Sequence, residues 1–66
     1  MTNRIKVERA ILNLTQEDLA NRISVSRQTI NAMEANKYVP STVLALKIAR
    51  VFNKPVEEIF FLQDED

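Results

Sequence analysis

The 66-residue chain contains no cysteine, no histidine, no glycine and no tryptophan. Without cysteine there is no disulfide framework and no thiolate metal site. Without histidine the commonest general base and metal ligand is missing. No glycine loop can cradle a phosphate, and the carboxylates form no inward-facing pair. These absences together point away from an enzyme and leave no residue set for a metal or cofactor. No apolar run approaches the roughly 20 residues needed to cross a bilayer, and Met1-Thr2-Asn3-Arg4 lacks the apolar stretch of a signal peptide. The expectation is a cytoplasmic protein without a membrane partner. The length allows one domain, residues 1–66, with a modest core.

Net charge is zero, yet the charges are segregated. All nine basic residues lie between Arg4 and Lys54, opposed there only by Glu8, Glu17, Asp18 and Glu34, so that stretch carries +5. The last twelve residues hold Glu57, Glu58, Asp64, Glu65 and Asp66 without a base, so they carry −5. A basic body with an acidic end orients a molecule toward phosphate. A solvated acidic terminus explains the same pattern without nucleic acid, and charge alone does not choose between them.

Hydrophobic spacing predicts five short helices, at about 3–13, 16–23, 27–35, 42–52 and 56–60. Val7, Ile11 and Leu14 fall at i, i+4 and i+7, which reads as the inner stripe of the first. Thr15 caps the second, with Asp18 completing an acidic capping arrangement. Ser26 and Ser41 open the third and fourth. The fourth is apolar over more than half its circumference, from Val43 to Phe52, so it is expected to be the most buried. Pro55 fits the entry to the fifth. Four helix ends fall on Asn13, Ser24, Asn36 and Asn53. Asparagine is the next choice after glycine for a left-handed residue, and Ser24 is the least comfortable of the four. The segment 59–63 could be extended and pair with residues 1–3.

The second and third helices, joined at Ile23-Ser24-Val25-Ser26, form a helix-turn-helix. Ala20 is small where the helices cross, and Val25 fills the space between them. The exposed start of the third helix then reads Arg27, Gln28 and Asn31, with Thr29 at its edge. Arginine suits guanine O6 and N7; glutamine and asparagine suit adenine N6 and N7. Gln16, Ser26, Thr29, Asn36, Lys37 and Tyr38 surround this ridge and suit phosphate. Taken singly, each of these is equally well a plain surface residue, and Tyr38 equally well a ring packed over the fourth helix.

Leu14-Thr15-Gln16-Glu17-Asp18-Leu19-Ala20, Val25-Ser26-Arg27-Gln28-Thr29-Ile30-Asn31, Glu34, Lys37-Tyr38 and Pro40-Ser41 together resemble the Xre family of phage-repressor/Cro-type regulators. The likeness runs on through Ala45-Leu46-Lys47-Ile48-Ala49 to Val56-Glu57-Glu58-Ile59-Phe60, and is nearest to the small stand-alone dimeric members. It implies an all-α, five-helix fold that binds a palindromic double-stranded DNA operator as a homodimer. It implies base contacts from Arg27, Gln28 and Asn31, and phosphate contacts from Gln16, Thr29, Lys37 and Tyr38. Glu8 departs from the family, standing where many relatives have an aliphatic residue.

One short recognition helix makes few base contacts, so specific binding calls for two half-sites about 34 Å apart. The candidate joining surface is Val56, Ile59, Phe60, Phe61 and Leu62, with Ile59 and Phe60 partly claimed by the core. Repression is the expected sign, with no small-molecule effector evident. The rival reading is a protein-interaction module of the same fold, such as an antitoxin. RNA is disfavoured because the basic face lacks stacking aromatics.

Overall fold

A computed structural model describes residues 1–66. In chain order it comprises strand β1 (Thr2–Asn3), helices α1 (Ile5–Ile11), α2 (Gln16–Arg22), α3 (Arg27–Glu34) and α4 (Thr42–Phe52), a 3₁₀ turn (Val56–Glu58) and strand β2 (Phe60–Phe61). Four helices form, not five. The expected fifth is that single 3₁₀ turn, because the chain beyond it is drawn into pairing with the N-terminus. β1 and β2 run antiparallel, Thr2 opposite Phe61 and Asn3 opposite Phe60. The Arg4 N–H extends the ladder to the Ile59 carbonyl at 2.8 Å. This pairing also shortens α1 from the expected 3–13, since Asn3 is now strand and Asn13 turns left-handed at φ 56°.

The capping chemistry is as the residues dictate. Thr15 Oγ1 accepts from the Asp18 N–H at 2.9 Å, and Asp18 accepts from the Thr15 N–H at 3.0 Å, a reciprocal capping box. Ser26 and Ser41 accept from the N–H groups of Thr29 and Leu44, each at 3.2 Å. Asn13, Ser24, Asn36 and Asn53 are the four residues with positive φ, one after each helix. They let the chain reverse without glycine, at a steric cost of about 1–2 kcal/mol for an ordinary residue such as serine.

A core of twelve buried apolar residues, among them Ile5, Leu19, Ile30, Met33, Ile48 and Ile59, joins all four helices and β2. α2 and α3 share the most extensive helix contact, with Ala20 buried between them and Val25 packed against the core. One expectation about facing fails. The Val7–Ile11–Leu14 stripe is not the inner face of α1: Val7 is 47% exposed and Ile11 60%. Ile5 and Glu8 point inward instead, because the strand pairing at Asn3 and Arg4 sets the rotation of the helix. Glu8 is buried beside Lys54 Nζ at 2.9 Å, with Arg4 Nε at 3.6 Å. The carboxylate is thus compensated where an aliphatic residue would have needed no partner. α4 is the most buried helix, as expected: Leu44, Ile48, Ala49 and Phe52 face the core, while Val43 and Leu46 on its other side are 64% and 56% exposed.

Candidate nucleic-acid interface

α3 enters from the Ser26 cap and is closed by Ala35, followed by the left-handed Asn36. Ile30 and Met33 fix its inner side in the core. At 100° per residue, that anchoring turns positions 27, 28 and 31 outward, and Arg27, Gln28 and Asn31 are exposed. The Arg27 and Gln28 side chains bond to no protein atom, and Arg27 forms no ion pair. A guanidinium and an amide with all their donors free are suited to a partner that offers fixed acceptors.

Two clefts flank the ridge. One is polar, lined by Arg9, Thr15, Gln16, Glu17 and Arg27 at the joint entrance of α2 and α3. Helix starts leave backbone N–H groups unpaired there, which favours an anion. The other is lined by Gln28, Thr29, Ala32, Lys37 and Tyr38. Lys37 and Tyr38 are exposed, and Lys37 has no carboxylate partner. Ser26 and Thr29 are partly committed to the cap, their hydroxyls 3.0 Å apart. Asn36 Oδ1 accepts from Asn3 Nδ2 at 3.3 Å, leaving its own amide hydrogens outward.

Beneath the ridge lies a network that the spacing of residues does not reveal. Arg9 of α1 binds Glu34 of α3 through two bonds, Nε to Oε2 at 2.6 Å and a terminal nitrogen to Oε1 at 3.0 Å. Its other terminal nitrogen donates to the Leu14 carbonyl at 2.8 Å. Both side chains are largely covered. The hydrogen bond to Glu34 raises the Arg9 pKa above its already high value, despite burial. Gln16 joins through Nε2, which donates to Glu34 Oε1 at 3.2 Å and to Asn31 Oδ1 at 3.3 Å. Arg9 and Glu34 are 25 residues apart and on different helices, so only packing brings them together.

The five residues expected at a joining surface divide. Ile59 is wholly buried within the core, and Phe60 is buried but for an edge that reaches the apolar groove at Val56. Phe61 lines a charged cleft with Arg4, Glu8, Lys54, Glu57 and Glu58. Leu62 is almost wholly exposed, and Val56 is half-buried. Val56 instead borders an apolar groove with Met1, Val39, Pro40, Ala45 and Leu46. Val39, ahead of α4, and Val43 and Leu46 on it are further exposed apolar residues on this side.

The helix-turn-helix model matches residues 5–59. The chain is 53% identical over its full length to an HTH-type transcriptional regulator of Methanocaldococcus jannaschii, all of which it covers. It is 42% identical to one of Bacillus subtilis, again over the whole of both chains. A solved structure from Bacteroides fragilis, described as a DNA-binding protein, superposes with a TM-score of 0.79 at 33% identity, covering 88% of this chain and 94% of that one. With the serine-capped α3, the tight Ile23–Ser26 turn and full-length likeness all agreeing, the chain belongs to the Xre-type helix-turn-helix family.

Proposed function

We propose that the chain is a sequence-specific DNA-binding transcription repressor that lays α3 in the major groove. The observation that carries this reading is the unobstructed ridge of Arg27, Gln28 and Asn31 on the first turn and a half of a helix held from behind by Ile30 and Met33. Arg27 reads guanine, and Gln28 reads adenine through its free amide. Lys37, Tyr38, Thr29, Asn36 and the Ser26 cap take the neighbouring phosphates, while the starts of α2 and α3 offer backbone N–H groups to the same strand. Occupying a promoter in this way excludes other proteins, so repression needs no contact beyond those to DNA. The setting is the cytoplasm; no helix is long and apolar enough to cross a membrane.

One copy contributes a single eight-residue helix, so the operator is palindromic and bound by a homodimer in which each copy reads a half-site. The exposed Val39 and Leu46 with Val56, and the exposed Val43 one turn before Leu46 on α4, favour the groove beside α4 as the joining surface. Selection of bound sequences from a random duplex pool tests the reading and returns the site, its symmetry and its spacing. The affinity should fall steeply with salt as phosphate contacts release counterions. A selection that enriches nothing, with a protein partner held through the α4 groove independently of salt, would establish the interaction-module reading instead.

A further inference from the structure

Arg9, Glu34, Gln16 and Asn31 form a chain whose hydrogen bonds can run in only one direction. A guanidinium has donors and no acceptor; an ionised carboxylate has acceptors and no donor. Arg9 turns two N–H groups onto Glu34, one to each carboxylate oxygen, so both oxygens act as acceptors here. The side chain beside it, Gln16, must therefore turn its NH₂ toward Glu34. The second hydrogen of that same Nε2 goes to Asn31 Oδ1. Both Gln16 amide hydrogens are thus spent on side chains of the protein itself, the second of them at the surface. Asn31 has its oxygen engaged by Gln16, and its Nδ2 donates to no protein atom.

We infer that this relay makes Asn31 a donor-only reader, so that it selects guanine over adenine at the base pair it faces. The inference rests on the DNA-reading role proposed above for α3. Bidentate pairing with adenine needs the asparagine oxygen turned to N6–H₂ and its nitrogen to N7. Here the oxygen is held by Gln16, and an outward NH₂ meets the N6–H₂ donor of adenine with another donor. Guanine offers two adjacent acceptors, N7 and O6, and fits. Gln16 is then a positioning residue: it sets which way round the Asn31 amide sits. Its side chain has no hydrogen left for a phosphate, and only its backbone N–H remains for that task.

Sequence selection on the intact protein tests this, with Asn31→Ala used to identify the base pair that Asn31 faces. The expected wild-type base there is guanine, a readout that depends on no further variant. In Gln16→Ala and in the length-preserving Gln16→Met, Asn31 is free to turn over. The guanine-to-adenine ratio at that pair should then fall about tenfold, within the range of one bidentate contact. The pairs facing Arg27 and Gln28 should keep their preferences. Adenine at that pair in the wild type overturns the relay while leaving DNA reading intact. So does an unchanged ratio in both Gln16 variants with a loss of affinity uniform across sequences, the mark of a phosphate contact. A wild-type protein that enriches no duplex overturns the DNA-reading proposal, and this inference with it.

Discussion

α3 and α4 draw on one core yet present opposite chemistry to water. α3 buries Ile30 and Met33 and shows Arg27, Gln28 and Asn31. α4 buries Leu44, Ile48, Ala49 and Phe52 and still shows Val43 and Leu46. Unpaired donors are costless in water and gain most against fixed acceptors, so the α3 face suits a nucleic-acid edge. Exposed methyls forgo about 1.5–3 kcal/mol per side chain of possible burial, so the α4 face suits a surface like itself. A helix surface thus identifies its partner by what it leaves unsatisfied.

The sharpest way to break the comparison is to remove what holds the α3 ridge in place. Glu34→Ala leaves Arg9 covered and unpaired, and should destabilise the fold by about 3–5 kcal/mol in a denaturant melt. A loss below about 1 kcal/mol would mean that the ridge does not depend on this pair. Next is the α4 face. Val43→Glu with Leu46→Glu should give monomers by sedimentation, whereas Phe61→Glu with Leu62→Glu should leave the proposed dimer, because Phe61 lines a charged cleft and not the groove. The reverse result would move the joining surface to the C-terminal end.

Gln28→Ala tests the α3 face directly and should cost about 1–3 kcal/mol of operator affinity, relaxing preference at one base pair. An equal loss on every sequence would make Gln28 a backbone contact. Ser24→Gly relieves a left-handed serine at φ 60° in the turn between α2 and α3. It should raise stability by about 0.5–1 kcal/mol, the steric relief being offset in part by greater freedom of the unfolded chain. The smallest effect concerns pH. Bonds from the Thr15 backbone and side chain lower the pKa of Asp18 below its ordinary 3.8. A carboxylate with a depressed folded pKa stabilises above its unfolded value, and that contribution is lost as pH falls through the folded one. The α2 cap should therefore hold at neutral pH and loosen only in acid below about pH 4, and Asp18→Asn should flatten that acid limb of the melting profile.

Legibility along the chain divides along similar lines. The α2–turn–α3 unit was readable because its signals are local. Thr15 and Asp18 are three residues apart, Ser26 caps its own helix, and Ala20 and Val25 sit at a tight turn. The left-handed asparagines were readable for the same reason, since the steric preference belongs to the residue. The inner face of α1 was not, because Val7 and Ile11 make as regular a stripe as any core face. The rotation was set instead by Arg4 bonding to Ile59, 55 positions away in the sequence. The burial of α4 is legible but its wet side is not, because a nearly continuous apolar run has no period to say which side that is. The membership of the α3 ridge could be listed from spacing alone, but its bonding could not. That depends on Arg9 and Gln16 arriving from two other helices.

Helix starts, helix stops, the angle-setting turn and the identity of the polar ridge followed from short-range chemistry, which acts within a few residues and is written in residue order. The face that α1 turned inward, the shrinking of the expected fifth helix to a 3₁₀ turn, and the direction of the hydrogen bonds behind Asn31 were decided only when distant segments met. Those choices rest on contacts whose partners are tens of residues apart, and no local pattern encodes which partner will be there.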